Sequence, residues 1–301
     1  MTSLQWRPAA GIDNRDKRPP DIRHLAGSLP RECPSARRES TISRISLGLR
    51  QLRARLPKPR ILVTAPFLHL RFMRQAKRAG WPRPRFGALS ISETAAIIEN
   101  SAPTILDIGC NDGSSSLEFV KVFPSGTFHA FEPDPRAYRL AAERLAPSPV
   151  HLHNIALAGA DGPVTFHPSG GTLPGMEEEF PEGWHFSGSL RPPKTHTEVF
   201  PWVTFEETLE VSGRTLDSWA AEHGIARVDF IWMDVQGAED LIIRGGTRTL
   251  ARTRYLYTEY SYAEFYEGQL GLAELLEMLP GWEVVRLYYL DVLLRNTNVT
   301  D

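Results

Sequence analysis

The amino-acid sequence predicts an α/β fold, a doubly wound and mostly parallel sheet with helices on both faces. Three observations predict it. Apolar runs ending at Asp107, Glu132 and Asp234 alternate with amphipathic segments, the rhythm of successive strand–helix units. Glycine turns directly follow the first and last of these runs, at Gly109–Gly113 and at Gly237. The final apolar runs, 282–289 and 291–295, stand too close together for a helix between them and read as a closing hairpin.

The stretch 104–116, Thr-Ile-Leu-Asp-Ile-Gly-Cys-Asn-Asp-Gly-Ser-Ser-Ser, organises the rest. It reads as strand, tight turn and helix start, with Leu117, Phe119, Val120 and Phe123 on the apolar face of the helix. Glycine belongs where the backbone takes positive φ or lies against a ligand, because a Cβ would clash. A second strand, 128–131, ends in Glu132, about 20 residues past the turn, where an acidic side chain accepts the hydroxyls of a ribose. The site is therefore a Rossmann-like nucleoside site. Dinucleotide sites want G-x-G-x-x-G, whereas Asn111 occupies the place of the second glycine and Asp107 points a negative charge into the turn. That charge repels a pyrophosphate and suits the ammonium or sulfonium of S-adenosylmethionine.

The remaining elements follow in order. Residues 1–40, rich in Arg, Pro and Ser without apolar periodicity, are expected to form a disordered basic arm. Residues 41–89 form a basic helical extension: Ile42, Ile45, Leu49, Leu52 and Leu56 share one face of a helix over 41–56, with arginines on the others. That helix docks on its own domain or a partner, with contact to a membrane surface as the alternative. Residues 1–86 carry 20 Lys+Arg against 5 Asp+Glu, and residues 87–301 carry 14 against 31, so a basic arm is joined to an acidic body. The run 61–72 is interrupted at Pro66, His69 and Arg71 and is too short to span a membrane. With no signal peptide pattern and only Cys33 and Cys110, a cytoplasmic protein is expected.

The body, 90–301, opens with Ser90 and Glu93, a capping box before a helix. Asp134 and Pro135 start another helix, and 150–157 reads as a third strand with Asn154 and Ala156 at its carboxyl end. Residues 159–213 break the rhythm and are expected to be an irregular insertion with 164–166 as an edge strand; Trp184, His185 and Trp202 either line an acceptor pocket or pin the insertion. Thr215 starts a short helix, 228–233 is a fourth strand, Glu239 opens a helix, and 255–260 is a fifth strand carrying Glu259. A helix over 270–279 stops at Pro280.

The set Asp107-x-Gly109-x-Asn111-x-Gly113, Phe131-Glu132-Pro133, Asn154-x-Ala156, Thr215-Leu-Asp217 and Asp234-Val-Gln-Gly-Ala-Glu239 resembles the FkbM family of S-adenosylmethionine-dependent methyltransferases over residues 90–296. The resemblance implies a seven-stranded class I methyltransferase fold and O-methylation of a sugar, a glycolipid or polysaccharide, or a secondary metabolite. Gln236 stands where that family more often has Glu. Strand-end position then suggests the cofactor roles. Asp107 takes the amino-acid end, with Asn111 beside it in the turn. Gly109 and Gly113 allow close backbone approach, Glu132 takes the ribose, and Asn154, with Ala156 next along the strand, takes the adenine edge.

Methyl transfer to a hydroxyl calls for in-line alignment and a general base. Asp234 is the first candidate, Glu239 and Glu259 the next, with Glu239 alternatively holding a turn amide and His185 as the outside candidate. His153, His167, His185 and His196 show no metal-ligand spacing, so no metal is expected. The partner is a small-molecule or glycan acceptor. Nucleic acid is disfavoured: 234–237 lacks the Asp/Asn-Pro-Pro-aromatic string of base-amino methyltransferases. Alternatives are a methyltransferase of RNA or protein and a non-catalytic Rossmann-like binding module; the acidic and glycine positions, all present, weigh against the latter.

Overall fold

In this computed structural model the described residues are 66–299, without 174, 177, 179, 181 and 182 and without the side chains of 66–69. The expected arm 1–40, the basic helix 41–56 and Cys33 lie outside them.

Local signals set the elements. Helix α1, Pro66–Arg78, precedes α2, Ile91–Ile98, whose start is the expected capping box: the Glu93 amide donates to Ser90 Oγ and the Ser90 amide to Glu93 Oε2 at 3.0 Å. Strand β1, Thr104–Ile108, leads through the glycine turn into α3, Ser114–Val122. Strand β2, Thr127–Phe131, is followed by α4, Pro135–Leu145, capped by Asp134 with Pro135 in the first turn. Strand β3 is Val150–His153. After the insertion come α6, Leu216–Glu222, capped by Thr215, and then β9, Val228–Met233. Helices α7, Glu239–Gly245, and α8, Thr247–Leu250, precede β10, Thr253–Glu259. Helix α9, Leu272–Glu277, and the hairpin β11, Trp282–Leu287, and β12, Asp291–Asn296, complete the fold.

The seven strands lie in the order β11-β12-β10-β9-β1-β2-β3. Strands β3, β2, β1, β9 and β10 pair in parallel, and β12 runs antiparallel to both β10 and β11. This is the Rossmann-like class I arrangement that the sequence predicts. Period-2 alternation divides the sheet between two cores. Leu106, Ile108, Ile231 and Met233 pack with Phe72 of α1, Trp219 of α6 and Ile242 of α7. Ile105 and Phe230 face Ile91 and Ile98 of α2 and Phe119 of α3 on the other side. The Phe72 ring stacks on Tyr260 and Tyr262 at centroid distances of 5.4 and 5.6 Å, so the helix ahead of residue 90 is docked on the body.

Two expectations need correction. The run 150–157 is two strands: it divides at Asn154, and β4, Ala156–Leu157, leaves the large sheet to pair with β8, Leu209–Arg214, in a three-stranded sheet ordered β4-β8-β5. The insertion is correspondingly less irregular than expected. Strand β5, Gly162–Phe166, and β8 form an antiparallel pair across its base, while β6, Gly170–Gly171, pairs with β7, Val203–Thr204, and α5, His196–Val199, lies between. Phe180, Trp184 and Val203 give the insertion a small core of its own.

The histidines, scattered in sequence, partly converge. Register places His129 opposite His151 and Phe131 opposite His153 on one face of β2 and β3, with His223 and Trp219 against them. His129 Nδ1 and His153 Nε2 are 3.2 Å apart. Burial first, then the neighbouring His153, His151 and His223, push His129 down to about 3. An unfolded histidine takes its proton near 6.5. The unfolded chain therefore binds about one proton more than the fold between those values, and stability is lost at this side chain as pH falls through that interval. His129→Phe is expected to gain on the wild type as pH drops from 7.5 to 5 in urea unfolding; a pH-independent difference would remove the buried neutral histidine from the account.

Candidate active site

Strand order reverses between β1 and β9, and open parallel sheets bind ligands at the carboxyl ends beside such a point. Both glycine turns lie there. The Gly109 and Cys110 amides both donate to the Phe131 carbonyl at 3.0 Å, folding the turn over β2. Gly109 has φ of 82°, and a Cβ on it would run into the Asp234 carbonyl oxygen. Its close approach is thus to β9. Gly113, φ 76°, is tight for a different reason: its Cβ would meet Leu145 of α4 at 2.9 Å. The second glycine lets α3 pack on α4.

The serine cluster at the start of α3 holds Asp107. Ser115 Oγ and Ser116 Oγ donate to Asp107 Oδ2 at 2.8 and 2.5 Å. Asn111, at φ 50°, donates its amide to Glu132 Oε2 and its side-chain Nδ2 to the His185 carbonyl, each at 2.8 Å. Glu132 also accepts from the Asp134 amide at 2.8 Å, and burial raises it to about 8 despite both donors. Asn154 Nδ2 donates to the Glu132 carbonyl at 2.8 Å, fixing the end of β2. Ala156 is buried as the first residue of β4, just beyond the switch of sheet.

Acidic side chains gather at this turn. Burial, followed by Asp107, Glu132 and Asp112, raises the Cys110 thiol well above its ordinary value. Asn111 Oδ1, buried, has no hydrogen-bond partner among the described residues. An acceptor left open beside several carboxylates fits a ligand bearing an ammonium and a sulfonium, and opposes a pyrophosphate.

The second turn carries the candidate bases. Asp234 follows β9, its amide donating to the Ile108 carbonyl at 2.9 Å, and Glu259 ends the neighbouring β10, next to the paired Met233 and Thr258. Gln236 bridges them: its Nε2 donates to Asp234 Oδ1 at 2.5 Å and to Glu259 Oε2 at 3.0 Å. Glu239 is 2% exposed, accepts the Gly237 amide at 3.1 Å and is raised by burial to about 7. Its carboxylate thus ties down the second glycine turn through the Gly237 amide. No group of three or more His, Cys, Asp or Glu among the described residues could hold a metal ion.

The insertion closes on both turns. Besides the Asn111 bond to His185, Ser189 Oγ donates to the Gln236 carbonyl at 2.7 Å and Tyr266 OH to the Ser187 carbonyl at 2.8 Å. Arg191 pairs with Asp240 of α7 through two contacts of 2.7 and 2.9 Å. Ser187, Ser189 and Tyr266 carry no sequence signal beyond the serine–glycine turn.

From Asp107, through both turns, to Tyr288, the chain matches the family model described as the methyltransferase FkbM domain, residues 107–288. The chain belongs to the FkbM methyltransferase family. It is 43% identical over 212 residues to the 2-O-methyltransferase NoeI of Sinorhizobium fredii, covering 69% of this chain and 85% of the relative. It is 28% identical over 160 residues to the methyltransferase sdnD of Sordaria araneosa, covering 48% of this chain and 61% of that one. A crystal structure of a methyltransferase FkbM from Methylobacillus flagellatus is similar at a TM-score of 0.41 and 13% identity, over 65% of this chain and 44% of that one. As an FkbM protein the chain is an S-adenosylmethionine-dependent methyltransferase, and O-methylation fits its similarity to NoeI. Among the described residues no helix is long and apolar enough to cross a membrane.

Proposed function

We propose that this FkbM methyltransferase methylates a hydroxyl of a sugar or sugar-bearing small molecule, with Asp234 as the general base. The observation that carries the reading is the carboxylate pair Asp234 and Glu259 at adjacent strand ends, with Asp234 packed against the turn of Gly109. Bound S-adenosylmethionine supplies an electrophilic methyl carbon on sulfur. Asp107 and Asn111 would hold its charged amino-acid end, and Glu132 and Asn154, which the Asn111 amide and the Glu132 carbonyl keep in place, would take its nucleoside. As the acceptor oxygen bonds to the methyl carbon and the carbon–sulfur bond breaks, Asp234 takes the hydroxyl proton, leaving S-adenosylhomocysteine and a methyl ether. Phe186 and Trp202, partly buried against the insertion's core, offer aromatic faces of the kind that pack on the apolar face of a sugar, while Trp184 pins that core from inside. The named activity of NoeI supports oxygen as the acceptor atom. A cytoplasmic setting accords with Cys110, a free and buried thiol.

The test is transfer of labelled methyl from S-adenosylmethionine to a panel of methyl glucosides, galactosides and mannosides, with the product hydroxyl located by NMR. Transfer to RNA or protein with none to any glycoside would replace this reading. The cofactor half has its own check. Glu132→Ala is expected to weaken S-adenosylhomocysteine binding by about 1–3 kcal/mol in calorimetry, and unchanged affinity would take the ribose away from Glu132.

A further inference from the structure

We propose that Gln236 is a positioning residue for methyl transfer: its carboxamide fixes the carboxylate of Asp234 against that of Glu259 and ties this geometry to the seated insertion. The proposal rests on the reading of Asp234 as the base.

The geometry is specific. A carboxamide nitrogen has two hydrogens, and those of Gln236 have two acceptors, Asp234 Oδ1 at 2.5 Å and Glu259 Oε2 at 3.0 Å. Neighbouring carboxylates repel, and a neutral double donor between them satisfies both without adding charge. Holding one oxygen of Asp234 from within its own turn fixes the plane of the carboxylate, and with it the direction from which a proton is accepted. The side chain reaches this place because Gln236 takes φ of 52°, a conformation that a non-glycine residue adopts only when its surroundings hold it there.

Those surroundings include the insertion. The Gln236 carbonyl accepts from Ser189 Oγ at 2.7 Å, and its Oε1 lies 3.4 Å from the Tyr266 hydroxyl, which donates to the Ser187 carbonyl. The other charged or titratable groups facing the cluster are Glu239 and Asp240 on α7, the latter paired with Arg191 of the insertion, and Tyr266, which feels Glu259, Asp234 and Glu239. The amide of Gln236 is the donor the structure places between the two carboxylates.

The test uses the full chain and two replacements. Gln236→Met keeps the length and removes the donor; Gln236→Glu keeps the shape and donates only when its carboxyl is protonated. Binding of S-adenosylhomocysteine, expected within about twofold of wild type, reports that each variant is folded. With S-adenosylmethionine and the methyl glycoside panel, Gln236→Met is expected to lose 10- to 100-fold in kcat with acceptor KM changed less than threefold. Gln236→Glu is expected to lose as much at pH 8.5 and to recover relative to wild type as pH falls toward 5.5. A purely structural role would not produce that pH-dependent ratio. Wild-type kcat in Gln236→Met, or parallel pH profiles for Gln236→Glu and wild type, would overturn the proposal.

Asp234→Asn separates the two levels. An active Asp234→Asn enzyme defeats the base assignment and this proposal with it, whereas an inactive one beside a fully active Gln236→Met defeats the proposal alone. An arm that needs no acceptor reads the side-chain amide of Gln236 in the 15N-labelled chain, assigned by its loss in Gln236→Met. Hydrogen exchange at least tenfold slower than for a surface glutamine, and a resonance shifted by both Asp234→Asn and Glu259→Gln, are expected. Exchange at the free-amide rate overturns the clamp.

Discussion

Asp234→Asn is expected to lower kcat about 10²- to 10⁴-fold while leaving S-adenosylhomocysteine affinity within a few-fold of wild type. The substitution keeps the volume of the side chain, and an asparagine Oδ1 still accepts the Gln236 amide, so the turn retains its hydrogen bond. It removes the acceptor of the hydroxyl proton. Single-turnover transfer of labelled methyl to the glycoside panel measures the step directly. Activity near wild type would move the base to Glu259, which the same amide bridges from the neighbouring strand. A parallel fall in cofactor affinity would instead mean that Asp234 supports the glycine turn, which it touches through its backbone.

Gly109→Ala is expected to reduce S-adenosylhomocysteine affinity at least tenfold and to lower the melting temperature by roughly 5–10 °C. Two costs combine. Alanine at φ of 82° carries a backbone strain of about 1–3 kcal/mol, and its Cβ displaces the carbonyl of Asp234, so the end of β9 and the turn must separate. Gly80→Ala is the control: Gly80 has φ of 70° but open space within 4 Å of where a Cβ would stand. Differential scanning fluorimetry and calorimetry on both variants isolate the close approach from the strain. Equal losses would show that conformation alone makes Gly109 a glycine.

The legible parts of the chain are those whose signal is local. The strand, turn and helix over 104–122 announce themselves by an apolar run, positive-φ glycines and a serine cluster, and the capping box at Ser90 and Glu93 lies within four residues. The roles of Glu132 and Asp234 as strand-end carboxylates follow from the same reading. Strand β8 is harder to see because its burial alternates weakly and its partners, β5 and β4, lie more than forty residues earlier. The division of 150–157 is equally invisible, since alternation marks a strand without naming its sheet. Asn154 looks like a ligand residue in sequence; in the fold its amide also braces Glu132. Gly113 reads as a ligand glycine, yet what presses on it is Leu145.

The sequence by itself determined the α/β class, the strand-end acidic residues, a cofactor with positive charge and membership of a methyltransferase family, because each rests on neighbours a few bonds apart or on a run of motifs. Only the tertiary structure decided which carboxylates meet, that Glu239 turns to the Gly237 amide, that Gln236 spans Asp234 and Glu259, and that His129 lies against His151 and His153. The reason is physical. Contacts between strands depend on register and order, which are set by burying both faces of the sheet at once, and the one-residue slip that sends a side chain to the opposite face leaves no mark in its immediate sequence.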